Sequence, residues 1–312
     1  MRTEYPVAPA LRPYVRCLWS VERTFVPPAD TFDLLPDRYV ELVFTAGARF
    51  TIDAGPRTAG TSTAESPVLP RAYVVGLLDG PVRPRARGTV RAVAARCDAW
   101  SAAPIVALLV APRLEGPART ARPGGRTPAA ACGGVRPLHP AHAPLADAIA
   151  ARLDAGDVGG ALGLLQDALR AFAADAAPAP VRRAGLALGG PPDDPLDAAG
   201  VGGGATVRAA AAAGGRTPRQ LERQFRALAG VTPKGYARRA RFERARDRLW
   251  AAPATRLSAL AAECGYADQA HLTREFTAFA GQPPGRWAVG VARTRALLRP
   301  EPSPRVAFLQ DG

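Results

Sequence analysis

Thr217–Tyr236 reads TPRQLERQFRALAGVTPKGY, and Asp268–Trp287 reads DQAHLTREFTAFAGQPPGRW. Set 51 residues apart, the two stretches are one pattern written twice. Seven of the 20 positions are identical: Leu221/Leu272, Arg223/Arg274, Phe225/Phe276, Ala227/Ala278, Ala229/Ala280, Gly230/Gly281 and Pro233/Pro284. An aromatic residue closes each copy, Tyr236 or Trp287. Upstream, at the same offset, Gly214 aligns with Gly265 and Ala210-Ala211 with Ala261-Ala262.

Each copy has the makings of a helix-turn-helix. A short helix is expected first, over Val207–Ala213 and over Ser258–Cys264. Gly214 or Gly265 ends it, because the left-handed backbone of a tight turn suits a residue without Cβ. Thr217, followed by Pro218 at the first helical position, and Asp268 are N-cap types whose side-chain oxygens accept from first-turn N–H groups that lack a helical partner. Along the second helix Leu221, Phe225 and Leu228 fall at i, i+4 and i+7, as do Leu272, Phe276 and Phe279, which gives each helix one buried stripe. Between the units, Tyr236–Trp250 (YARRARFERARDRLW) reads as a long helix whose Phe242, Ala245 and Leu249 can pack on both.

The faces opposite the stripes are polar. They offer Arg219, Gln220, Arg223 and Arg226 in the first copy and Gln269, His271, Thr273 and Arg274 in the second. Arginine and glutamine present paired donors, or a donor beside an acceptor, and so match base edges and phosphates. Arg238, Arg239 and Arg241 on the long helix are expected near backbone phosphates. Charge points the same way. The chain carries +14 overall, and 41 Lys/Arg include a single lysine, Lys234. Residues 205–299 hold 18 Lys/Arg against 6 Asp/Glu, a net of +12, whereas residues 1–204 hold 22 against 19. A codon bias toward arginine would spread the excess; here it is concentrated in one third, as a footprint for polyanions would be.

Outside that third the patterns change. Tyr39–Phe44, Arg49–Asp53, Ala72–Leu78 and Thr89–Ala94 are β-rich runs separated by Gly, Pro and Asp clusters. Leu11–Trp19 reads as a short helix or strand leading into them. Pro, Gly and Arg interrupt residues 101–140, and 115–137 reads as loop. Residues 144–174 turn helical through Leu145, Ile149 and Leu153, then Leu162, Leu165, Leu169 and Phe172, with Gly156 and Gly159-Gly160 dividing two helices. Residues 175–204, with GGPPDD and GVGGG, have a linker composition. The whole is a mixed α+β chain: a β-rich N-terminal domain over 1–110, an irregular segment and connector helices over 111–175, a linker over 176–204, an all-α domain of two helix-turn-helix units over 205–299, and a tail over 300–312.

The strings TPRQLERQFRALAGVTPKGYARRARFERA and LAAECGYADQAHLTREFTAFAGQPP resemble the AraC/XylS-type DNA-binding domain, in which seven helices carry two helix-turn-helix units on a connecting helix. The resemblance implies that both second helices enter successive major grooves on one face of double-stranded DNA. It also implies that Arg219, Gln220, Glu222, Arg223, Gln269, Ala270, His271, Thr273 and Arg274 face the bases. One departure stands out: the first scaffold helix, VRAAAAA from Val207, lacks the usual large apolar residue, so looser packing of the first unit is expected. Leu11–Trp19, Leu35–Phe44 and Tyr73–Gly76 are similar to the β-rich sensor or dimerisation domains of some such regulators, and Arg305–Asp311 to tails that accompany them. On that resemblance, a small-molecule effector, a second copy of the chain and RNA polymerase are candidate partners.

Other chemistries find little support. Cys17, Cys97, Cys132 and Cys264 lie far apart with no zinc spacing, consistent with reduced thiols in a cytoplasmic setting. No signal-peptide apolar region and no run of 18 apolar residues is present, so no membrane partner is expected. His139 and His142 near Asp147 lack further ligands at useful spacing, so no metal is expected, and no cofactor either. No nucleophile elbow, phosphate loop or metalloprotease motif occurs, which argues against an enzyme. Two alternatives remain: an alkylation-repair protein with a reactive cysteine, and a non-specific nucleic-acid or acidic-surface binder held by charge alone.

Overall fold

The structure, a computed structural model, describes residues 2–27, 31–52, 68–100, 134–172, 179–189, 205–297 and 306–307. Cys132, most of the irregular stretch after residue 100 and the glycine-rich part of the expected linker lie outside them.

The N-terminal half is built on a six-stranded antiparallel sheet. Its strands are β1 (Arg2–Tyr5), β2 (Val15–Phe25), β4 (Tyr39–Gly47), β6 (Ala72–Val75), β8 (Gly88–Asp98) and β9 (Val135–Pro137), in the order β1-β2-β8-β4-β6-β9. A 3-10 turn, Pro9–Leu11, precedes β2. Short pairs β5 (Thr51–Ile52) with β7 (Pro84–Arg85), and β3 (Asp33–Leu34) with β10 (Val306–Ala307), flank the sheet. The tail of the chain thus returns to pair beside Leu34. β9 falls inside the stretch expected to be loop; three residues beside a proline are too few to carry a visible alternation.

Side-chain alternation sorts the sheet into two faces. Leu18, Leu42, Phe44, Val74, Val93 and Ala95 point to one face, where α1 (Ala143–Asp154) and α2 (Val158–Phe172) cover them through Ile149, Leu153, Leu165 and Leu169. Gly156 takes φ 75° in the turn between these helices. Trp19, Val43, Tyr73, Ala92 and Ala94 form the core of the other face. There Glu41 is buried, pairs with Arg96 at 3.0 Å and accepts from Trp19 Nε1 at 3.2 Å, so the buried charge has partners on both sides. Cys17 packs on that face and Cys97 on the helix-covered one, so these two thiols cannot pair although their strands are neighbours.

The C-terminal part contains α3 (Ala179–Gly189), α4 (Val207–Ala213), α5 (Pro218–Ala229), α6 (Pro233–Ala251), α7 (Leu257–Glu263), α8 (Gln269–Ala280) and α9 (Pro284–Leu297). α3 corrects the linker expectation. Residues 179–189 form a helix whose Val181, Ala184 and Leu188 are buried against α4 and α6. Its stripe was hidden because two of its buried positions, Gly185 and Gly189, are glycines that contribute no apolar signal.

Candidate nucleic-acid interface

α5 and α8 are built alike. Each has 12 residues and opens on a side-chain cap. Thr217 Oγ1 accepts from Gln220 N at 3.2 Å while Gln220 Oε1 accepts from Thr217 N at 2.9 Å, and Asp268 Oδ1 accepts from His271 N at 2.6 Å. Each ends on a left-handed glycine, Gly230 at φ 71° and Gly281 at φ 73°. Leu221 and Phe225, and Leu272 and Phe276, are fully buried on the inner faces. In the second unit Phe242 of α6 lies 5.0 Å from the Phe276 ring and 5.1 Å from Phe279, with Trp287 5.7 Å from Phe276, so α6 and α9 clamp α8 from both sides.

The turn register differs from the constant offset read above. The left-handed turn glycines are Gly215 (φ 62°) and Gly265 (φ 75°), 50 residues apart, while Gly214 is helical. The structural equivalents of Leu260-Ala261 are therefore Ala210-Ala211, both pairs buried, and Cys264 corresponds to Gly214. The second turn is one residue longer, and the 51-residue offset resumes at α5 and α8.

Arg219, Gln220, Glu222, Arg223 and Arg226 are exposed on α5, and Gln269, Ala270 and Arg274 on α8; His271 and Thr273 are half-buried. Arg219, Arg223 and Arg274 have no hydrogen-bond or ion-pair partner among the described residues. The others are partly engaged. Gln220 spends its carbonyl oxygen on the cap, leaving its NH2 to donate. Arg226 pairs with Glu222 one turn back at 3.0 Å. His271 is tied into the scaffold: its Nδ1 accepts from Ala267 N at 3.3 Å, its Nε2 lies 3.3 Å from Glu275, and its ring packs edge-on to Tyr266. Thr273 Oγ1 donates back to Gln269 O at 2.9 Å.

The arginines of α6 are placed differently from expectation. Arg238 Nε donates to Glu275 Oε1 at 2.7 Å and Arg241 Nη2 to Glu275 Oε2 at 3.4 Å, fastening α6 to α8. Burial works against the Glu275 charge, but the Arg238 hydrogen bond and the Arg241 charge hold its carboxyl below the ordinary value. Arg239 does not lie on an open phosphate-facing surface. It is buried, donates to Leu78 O at 3.3 Å and pairs with Asp79, both from the N-terminal domain. Glu243 and Arg246 extend this stripe at i+4 and i+7. Glu243 pairs with Arg38 at 3.1 Å, and Arg246 donates to Pro36 O at 3.4 Å and pairs with Asp247 at 2.8 Å. The spacing 239, 243, 246 is that of a core-facing stripe, so the charged face of α6 meets the N-terminal domain and not solvent. Glu243 and Arg246 carry no composition signal as site residues, and only that spacing points to them; Glu275, on α8, has no such signal.

This arrangement defines two helix-turn-helix units carried on one connecting helix, α6. Residues 210–289 match the family described as Helix-turn-helix domain, and residues 3–112 match a domain of unknown function, DUF6597. The chain thus carries a C-terminal helix-turn-helix domain behind a β-rich N-terminal domain. Similar solved structures include an AraC-type transcriptional regulator from Chromobacterium violaceum, at 23% identity over 29% of this chain and 80% of that one, TM-score 0.27. The DNA-binding domain of the global transcriptional factor AdpA, in complex with a target DNA, is similar at 25% identity over 31% of this chain and 84% of that one, TM-score 0.27. ToxT from Vibrio cholerae overlaps 87% of this chain and 97% of its own at 8% identity, TM-score 0.43. No curated protein sequence matches the chain significantly.

Proposed function

We propose that α5 and α8 enter successive major grooves of one duplex and that their exposed first turns read its sequence. The observation that carries this is the pair of equally long, capped helices whose buried stripes leave Arg219 and Arg223, and Gln269 and Arg274, turned outward with side chains that have no partner among the described residues. A guanidinium donates two parallel hydrogen bonds to the O6 and N7 of guanine, and the glutamine amide matches adenine. Gln220, Glu222, Arg226, Ala270, His271 and Thr273 line the same faces, with His271 and Thr273 acting mainly by fixing the surface. Arg238 and Arg241 support α8 through Glu275 and border the backbone phosphates.

Recognition, not catalysis, fits Cys17 and Cys264. Burial pushes the Cys264 thiol up to about 11 and raises Cys17, so neither offers the thiolate that alkyl transfer needs. No helix among the described residues is long and apolar enough to cross a membrane. A cytoplasmic protein that takes an effector, or a second copy of itself, through the N-terminal domain and meets RNA polymerase at a promoter is consistent with this reading.

The test is equilibrium binding of the full chain to a duplex selected from a random library by the wild-type protein. Arg219→Ala and Arg274→Ala are each expected to cost about 1–3 kcal/mol and to relax base preference at one position, in different half-sites. Equal binding of wild type to the selected and a scrambled duplex would sink the reading.

A further inference from the structure

The two reading units are not equally self-sufficient. In the second, Leu260, Tyr266, Phe276, Phe279 and Trp287 fill a core of their own, to which, among the described residues, the N-terminal domain adds Leu35, with Gly80 and Pro81 bordering the C-terminal end of α8. In the first, the structural equivalents of Leu260, Cys264 and Tyr266 are Ala210, Gly214 and Arg216. Three apolar or aromatic groups that fill the second unit are therefore missing from the first, and its core is finished from outside. α3 lies directly against the vacated surface: a Cβ on Gly214 would come within 2.6 Å of Pro180 O and 3.2 Å of Ala184 Cβ.

Behind α3 stands Trp100, two residues beyond the end of β8 and part of the N-terminal domain. It is 1% exposed. A Cβ on Gly185 would sit 2.4 Å from its Cε3, so α3 can approach only because that residue is glycine. The Trp100 ring lies 5.3 Å from Tyr236 and 6.2 Å from Phe225, which are themselves 5.5 Å apart. Phe225 is the buried anchor of α5. One continuous apolar cluster therefore runs from the sheet core through Trp100 into Leu221 and Phe225, whereas the second unit has a separate cluster.

We propose that Trp100 is a positioning residue for DNA recognition: seated between Gly185, Tyr236 and Phe225, it fixes the orientation of α5, so the N-terminal domain governs the first DNA contact selectively. Any displacement of the β8 end then loosens one recognition helix and leaves the other in place. This rests on the reading of α5 and α8 as DNA-reading helices.

The experiment uses the full chain and the duplex selected by wild type, with half-sites assigned by Arg219→Ala and Arg274→Ala. Protection is measured per half-site, and amide hydrogen exchange is followed in 218–229 and 269–280. Trp100→Ala is expected to lose about tenfold or more of the protection at the Arg219 half-site, with the Arg274 half-site within about twofold. Exchange should quicken in α5 and not in α8, and Trp100→Phe should restore much of both. Gly185→Ala alone should mimic Trp100→Ala, because its methyl displaces the ring. Added to Trp100→Ala, it should cause no further loss, because the ring is gone. Equal loss at both half-sites, no loss, or equal quickening in α8 would overturn the proposal. If Trp100→Ala does not fold, Gly185→Ala decides by the same criteria. Should wild type protect neither half-site, the DNA reading fails, while the exchange comparison still judges the coupling of Trp100 to α5.

Discussion

Arg219 and Arg274 show how a side chain becomes available for recognition: most other arginines near them are taken. Arg226 is held by Glu222, Arg238 and Arg241 by Glu275, and Arg239 by Asp79. Residue type alone could not separate these groups, since all are arginines on helices, and so the exposed positions on α5 and α8 were legible while the burial of Arg239 was not. The cap of α5 is the residue-scale feature most easily tested. Thr217 satisfies an orphan N–H of the first turn, the turn that carries Arg219 and Gln220. Thr217→Ala is expected to destabilise the domain by about 1 kcal/mol in urea unfolding and to weaken DNA binding. Unchanged stability would show that the cap is not what holds this turn.

At the scale of elements, α6 and α8 are coupled through Glu275. Its carboxyl is held below the ordinary value by Arg238 and Arg241, so its stabilising contribution is fully present above the unfolded carboxylate range, about 4.3. That contribution fades as pH falls through the unfolded and then the folded value. Glu275→Gln is therefore expected to be less stable than wild type at pH 7, with the gap shrinking as pH drops below about 4.5. Denaturant midpoints across that range check it, and a pH-independent gap would contradict it. The strongest elements were readable from residues 207 to 287 because apolar spacing, caps and end glycines agree there. Elsewhere the signals were weaker. α3 hides its stripe behind Gly185 and Gly189. β9 is three residues long. The one-residue shortening between Gly215 and Thr217 relative to the second turn is masked by two adjacent glycines, Gly214 and Gly215, either of which could be the turn residue from sequence alone.

On the scale of the whole molecule, the N-terminal domain is not a bystander tethered by a linker. Arg38, Pro36, Leu78 and Asp79 grip the stripe Arg239, Glu243 and Arg246 on α6, and Trp100 enters the first unit. The expected looseness of the alanine-rich scaffold helix is resolved by this borrowing: Ala210 and Ala211 are fully buried, under α3. No sequence pattern could announce that: α3 hides its stripe behind glycines, and Trp100 lies more than a hundred positions upstream of Phe225.

The central claim is that two rigidly built helices read one duplex together. Hydroxyl-radical footprinting of the full chain on the duplex selected by wild type tests it most directly. Two protected windows are expected on one face of the DNA, about one helical turn, ~10 base pairs, apart. Arg219→Ala should weaken one window and Arg274→Ala the other. A single window, or the same pattern on scrambled DNA, would contradict the account.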